Sequence, residues 1–231
     1  MAAPGQVGDL IAFPRKAFDM GCAGGAGCTS DAQPVHTVML GGFAIERSEV
    51  TQAAYARCLA DGECTFTPAS FTPGSAPDLP VRGIAWAEAD TYCRHVGRCL
   101  PTEAEWERAA RDLAAGPYPW GATLDCQHAD YATCGLGAPV ASAALPGGDT
   151  PSGVHHMAGN VREWVADCFQ ADYYAHSPPS DPAGPPCTST RVLRGGSFRS
   201  PADALTAWHR EAEDPLHVLD DVGVRCAITL P

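Results

Sequence analysis

Eleven cysteines in 231 residues constrain this chain more than any other feature. Such a number is unusual in a reducing cytosol, and several lie close together: Cys22 with Cys28, Cys58 with Cys64, Cys126 with Cys134, and Cys168 with Cys187. None has the Cys-x-x-Cys spacing of a zinc site, so disulfides that staple loops are the better reading. That reading favours an oxidising, extracytoplasmic or secreted setting. Spacing alone does not fix connectivity. The 24 Gly and 21 Pro, spread along the chain, point the same way, to ordered loops rather than long regular elements.

The chain is long enough for one domain with a substantial core. Its first 14 residues lack the basic start and apolar run of a signal peptide, and no segment is long and apolar enough to span a bilayer. If exported, the chain is a trimmed form or one part of a larger protein. The net charge of -12 excludes nucleic acid and anionic membranes as natural partners. It suits a cation or a basic ligand, although a solvated acidic surface is the simpler explanation.

Residues 1–17 read as a loosely held lead-in, and 18–231 as one domain. Residues 35–45 alternate as a strand or hairpin, with Gly41 and Gly42 at the turn. Thr51 caps a helix to about Leu59, and a second helix covers 86–96. Thr102 and Glu105 form a capping box that opens a third helix running to about Asp112, with Trp106 in the core. Residues 116–152 are irregular. Strands are expected at 164–169, 196–198 and 222–228.

Residues 153–164 are the most suggestive segment. Small residues Ala158 and Gly159 bring backbone carbonyls close to one carboxylate, Glu163, an arrangement suited to a hard cation such as calcium. A tight turn entering a buried strand explains the same residues. His155 and His156 are adjacent and point opposite ways in an extended chain, so they do not chelate one ion. Ser197, His209 and Asp220 could form a hydrolase triad, but no Gly-x-Ser-x-Gly elbow frames them.

Six segments occur in order: 42–51 (GFAIERSEVT), 100–107 (LPTEAEWE), 118–121 (YPWG), 157–164 (MAGNVREW), 191–197 (RVLRGGS) and 222–227 (VGVRCA). Together they resemble the formylglycine-generating-enzyme, or sulfatase-modifying-factor, family over nearly the whole chain. The resemblance implies an α+β, C-type-lectin-like fold, loop-rich, with few short helices and strands. It implies a Cys93–Cys226 disulfide, and it leaves Cys99, where a basic residue is usual, as the unpaired thiol.

The resemblance also implies two calcium sites. One maps onto His156, the carbonyls of Gly159 and Val161, and Glu163, with His156 standing where an Asn or Asp is usual; imidazole is a poorer calcium ligand than oxygen. The other maps onto Asp130 and the carbonyl of Tyr131, beside a segment that is shortened here. Enzymes of the family bind copper(I) through two cysteines that follow Gly-Gly-Ser. The matching positions here are Ser200 and Leu205, and no cysteine lies between Cys187 and Cys226. Copper is therefore not expected, because soft thiolates are what copper(I) requires. Iron-dependent sulfoxide synthases share the fold but take their metal histidines from a helical domain that this chain lacks.

In lectin-like relatives the segment after Gly-Gly-Ser builds the ligand surface. Here that role would fall to Ser197, Phe198, Arg199, Trp208, His209, Arg210 and His217, with His209, Arg210 and His217 exposed and Trp208 packed in the core. The expectation is a non-catalytic module that binds a protein, peptide or small molecule. The alternative is a metal-dependent oxidase of the same family acting on a cysteine or other thiol.

Overall fold

The computed structural model describes residues 8–231 apart from positions 26, 72, 73 and 115. The first seven residues of the expected lead-in lie outside that description. Strand β1 (Leu10–Phe13) pairs antiparallel with β4 (Phe43–Glu46), which also pairs with β9 (Ala227–Thr229). The two ends of the chain are thus joined in one sheet, and residues 10–13 are not a loose lead-in. Strands β2 (Lys16–Met20) and β3 (His36–Leu40) form a separate ribbon. The expected hairpin over 35–45 is therefore split: β3 and β4 turn to different partners, because each finds its apolar neighbours far away in sequence.

Helices α1 (Gln52–Ala60), α2 (Trp86–His95) and α3 (Glu103–Arg111) fall where residue pattern and caps place them. The Thr51 side chain accepts from the Ala54 N–H, and the Thr102/Glu105 capping box is complete. A four-stranded sheet then runs β7 (Arg210–Glu213), β6 (Arg191–Arg194), β5 (Arg162–Cys168), β8 (Val222–Gly223). The β5–β8 pairing is parallel. Residues 195–198 leave β6 as a turn rather than continuing as the expected strand.

Two apolar clusters flank this sheet. One holds Trp106, Phe13, Phe43, Ile45 and Val165 under α3; the other holds Trp164, Tyr55, Tyr92 and Leu193 under α1 and α2. Five disulfides join Cys22–Cys28, Cys58–Cys64, Cys93–Cys226, Cys126–Cys134 and Cys168–Cys187. Cys93–Cys226 closes a 133-residue span and ties α2 to the final strand. Cys99 is the free thiol.

The interior is also strongly ionic. Helix α3 buries Glu103 and Glu107 on its inner face, and arginines from two strands meet them. Arg194 donates to Glu107 at 2.7 Å, and Arg210 grips Glu103 through two bonds of 2.8 and 2.7 Å. Carboxylates withdrawn from water require such partners.

Candidate functional site

The segment 154–163 makes a turn in which His156 (φ 52°), Gly159 (φ 82°) and Asn160 (φ 62°) are all left-handed. Gly159 is required here: a Cβ would stand 2.3 Å from the Asp130 carbonyl oxygen. Asn160 holds the turn from its side chain, accepting from the Val140 N–H at 2.9 Å and donating to Glu49 Oε1 at 2.8 Å. Its backbone N–H donates to the Asp130 carbonyl, and its own carbonyl accepts from Phe198. One turn therefore brings residues 49, 130, 140, 163 and 198 together.

Glu163 points inward from β5 and is fully engaged. Arg225 donates to both of its oxygens at 2.7 Å, and Trp106 Nε1 donates to Oε2 at 2.7 Å. His156 is buried, with Nδ1 3.2 Å from Glu49 Oε2 and Nε2 2.7 Å from the Ala144 carbonyl. Burial alone would favour the neutral ring, but the charge and hydrogen bond of Glu49 outweigh it and raise the His156 pKa, while Glu49 is held below the usual range. In the set His156, Gly159, Val161 and Glu163 the one carboxylate is held by Arg225 and Trp106, and His156 brings an imidazole where the resemblance implies an oxygen ligand. Among the described residues no three His, Cys, Asp or Glu side chains are gathered to hold a metal.

Asp130 is the opposite case. It is 1% exposed, yet neither of its carboxylate oxygens has a hydrogen-bond partner. Burial pushes its pKa up to about 6, against the pull of His156. An orphaned buried carboxylate is the kind of group that a hard cation satisfies, whereas the Tyr131 carbonyl already accepts from the Cys134 N–H.

The positions matching the copper thiolates are occupied differently. Ser200 Oγ accepts from the Ser197 N–H at 2.9 Å, closing a tight turn. Leu205 lies wholly inside a cluster with Ala129, Tyr131 and Ala158, flanked by Tyr118 and Trp120. Ser197 Oγ donates to Asp221 at 2.6 Å, and Arg162 donates to both Asp221 oxygens at 2.7 and 3.2 Å. Burial would raise the Asp221 carboxyl, but these hydrogen bonds prevail and hold it low. The Cys99 thiol donates to the Ala227 carbonyl, and burial, then the nearby Glu105 and Asp90, push its pKa up.

The expected ligand surface divides. Ser197, Phe198 and Arg210 are buried, Trp208 and His209 half-buried, and Arg199 and His217 exposed. Arg210 is the clear correction: its guanidinium lies over Phe169 and Tyr174 and neutralises Glu103, so it serves the core. Phe198 packs inward while Arg199 covers its ring at 4.9 Å. Trp208 sits under Arg111, not in the core. His209 Nε2 lies 3.3 Å from Glu211 Oε1. Arg82, absent from any sequence motif, joins this surface by pairing with Asp220, which also pairs with Arg199 at 2.9 Å. Nothing in the sequence links Arg82 to a residue 138 positions away. Arg225, between β8 and β9, could have been found, since a charge within the apolar run 222–228 demands a buried partner.

Residues 2–230 match the model of the sulfatase-modifying factor enzyme 1-like domain. The formylglycine-generating enzyme of Streptomyces coelicolor is 33% identical over 98% of this chain and 91% of its own length. The serine/threonine-protein kinase Pkn1 of Chlamydia trachomatis is 33% identical over 85% of this chain, which spans only 35% of that protein. Among solved structures, PvdO from Pseudomonas aeruginosa superposes with a TM-score of 0.83 over 100% of both chains at 25% identity. The chain belongs to the family of sulfatase-modifying factor enzyme 1-like domains.

Proposed function

We propose that this chain is a binding member of the family that does not use copper–thiolate oxidation. The observation that supports this is the chemistry at 200 and 205: a hydroxyl committed to a backbone N–H and a leucine sealed among aromatics. Neither is a ligand for copper(I), and the free thiol at Cys99 is tied to a carbonyl elsewhere. The ligand surface is the rim of Arg82, Arg199, Asp220 and His209, where exposed Arg199 and Asp220 and half-buried Arg82 and His209 stand over the Ser197–Asp221–Arg162 network. Its mixed charge suits a peptide or protein that offers both a carboxylate and a basic group.

Asp130 would supply a carboxylate, and Tyr131 its carbonyl, to a structural calcium ion that braces this rim from below. Five disulfides support an extracytoplasmic setting. The chlamydial kinase similarity is compatible with a role as one module of a larger protein. Among the described residues no helix is long and apolar enough to cross a membrane.

The test is an oxidase assay. The protein is incubated with copper, a reductant and a Cys-x-Pro-x-Arg peptide, with a related active enzyme as control, and the peptide is followed by mass spectrometry. No aldehyde is expected. Conversion of the peptide cysteine would overturn the reading.

A further inference from the structure

The rim is built from two ion clusters with opposite imbalance. At one end a single carboxylate serves two guanidiniums: Asp220 pairs with Arg82 and, at 2.9 Å, with Arg199. Both guanidiniums stand over the buried ring of Phe198, 6.0 and 4.9 Å from its centroid, so a packed ring and a shared carboxylate set their positions. At the other end a single guanidinium serves two carboxylates: Arg162 pairs with Asp221 at 2.7 Å and with Glu211 at 2.8 Å. Burial alone would raise both carboxyls. Hydrogen bonds prevail, to Glu211 from His209 and Arg162 and to Asp221 from Arg162 and Ser197, and both are held below their usual range.

With histidine counted as neutral, two cations face one anion in the first cluster, and one cation faces two anions in the second. Each surplus is thus one charge, of opposite sign. The clusters are also fixed to one another. Asp220 and Asp221 are consecutive, with Cα atoms about 3.8 Å apart. Arg162 and Glu211 belong to β5 and β7 of one sheet. Opposite surpluses side by side on ordered backbone present a fixed field, and charges already in place cost a partner little ordering. The side chains of Arg199 and Asp220 are 54% and 47% exposed, so the rim is an open surface, which suits a peptide better than an enclosed small molecule.

We infer that the rim has a direction: it takes a peptide segment with an acidic and a basic side chain close together, the acid against Arg82 and Arg199 and the base against Glu211. The inference rests on the binding role proposed above and adds polarity to it.

The test titrates 15N-labelled protein at pH 8 with four blocked peptides and follows the Nε–H signals of Arg82, Arg162 and Arg199 and the backbone amides of Glu211 and Asp220. The peptides are acetyl-Gly-Glu-Gly-Lys-Gly-amide, the two in which glutamine replaces either Glu or Lys, and the one in which it replaces both. The doubly charged peptide is expected to give saturable shifts at both ends and to bind about two- to five-fold more tightly than either singly charged one. Arg199→Gln should remove only the advantage of the acid, and Glu211→Gln only that of the base; the dispersion of each spectrum reports that the variant is folded. No saturable shift at either end, equal binding of all four peptides, or a variant that removes both advantages alike would overturn the inference. Binding at the rim without regard to charge would leave the binding role standing, whereas the failure of that role is read separately, as aldehyde in the oxidase assay.

Discussion

Glu163 and Asp130 are both 1% exposed, yet they have opposite surroundings. Glu163 receives two bonds from Arg225 and one from Trp106; Asp130 receives none on either oxygen. The contrast shows that burial of a carboxylate does not by itself mark a cation site. What marks it is burial without compensation. The Glu163 region is complete from the chain's own side chains, as are the Glu103–Arg210 and Glu107–Arg194 pairs on the inner face of α3. Asp130 has no such partner on either oxygen, which is the observation behind the proposed calcium ion.

The largest effect should come from breaking the complete region. Arg225→Met leaves Glu163 without its cation, and a loss of about 3–5 kcal/mol of unfolding free energy is expected. Chemical denaturation measures it, and a loss below about 1 kcal/mol would mean that the pair is not closed as described.

Asp130→Asn should act with the opposite sign in calcium-free buffer. It removes an uncompensated charge, and a gain on the order of 1–3 kcal/mol at pH 7 follows from a shift of about two pKa units. With calcium present the gain should vanish or reverse. The pH dependence has a definite sign. A carboxyl raised from 3.8 to about 6 binds its proton more tightly in the folded state, so native stability falls as pH rises between those values and is flat above them. Stability followed from pH 3 to 8 in chelator should therefore show this contribution in the wild type and lack it in Asp130→Asn, so that the difference between the two carries the slope.

The smallest effect on stability belongs to the surface. Asp220→Ala removes exposed pairs with Arg82 and Arg199 and should cost less than about 1 kcal/mol. The same change should weaken binding of any peptide selected on this rim, which affinity measurements on the folded variant would report.

Much of this was legible in residues alone. Caps at Thr51 and Thr102 marked two helices, and the four pairs of cysteines that lie close in sequence are the ones joined, although spacing alone left the connectivity open. The Cys93–Cys226 bond came from resemblance, since a 133-residue separation carries no local signal. Strand β1 escaped detection because its partner lies more than 30 residues on, and a short strand is stabilised by its neighbour rather than by its own pattern. Arg210 was read as exposed because charged residues usually are; its partner, Glu103, is 107 residues away on α3. Glu163 was legible as a candidate ligand in its own segment, and Asp130 only through the resemblance. Which of them was already satisfied depended on Arg225 and Trp106, and long-range pairing of that kind is not written in spacing.

The proposed calcium ion belongs to an unpartnered carboxylate, Asp130, and not to a partnered one, Glu163. The most direct measurement is the calcium content of wild-type and Asp130→Asn protein after equilibrium dialysis, read by elemental mass spectrometry. The account predicts one calcium per wild-type chain and none in Asp130→Asn. A calcium retained by the variant, or two in the wild type, would place an ion at the Glu163 turn and contradict it.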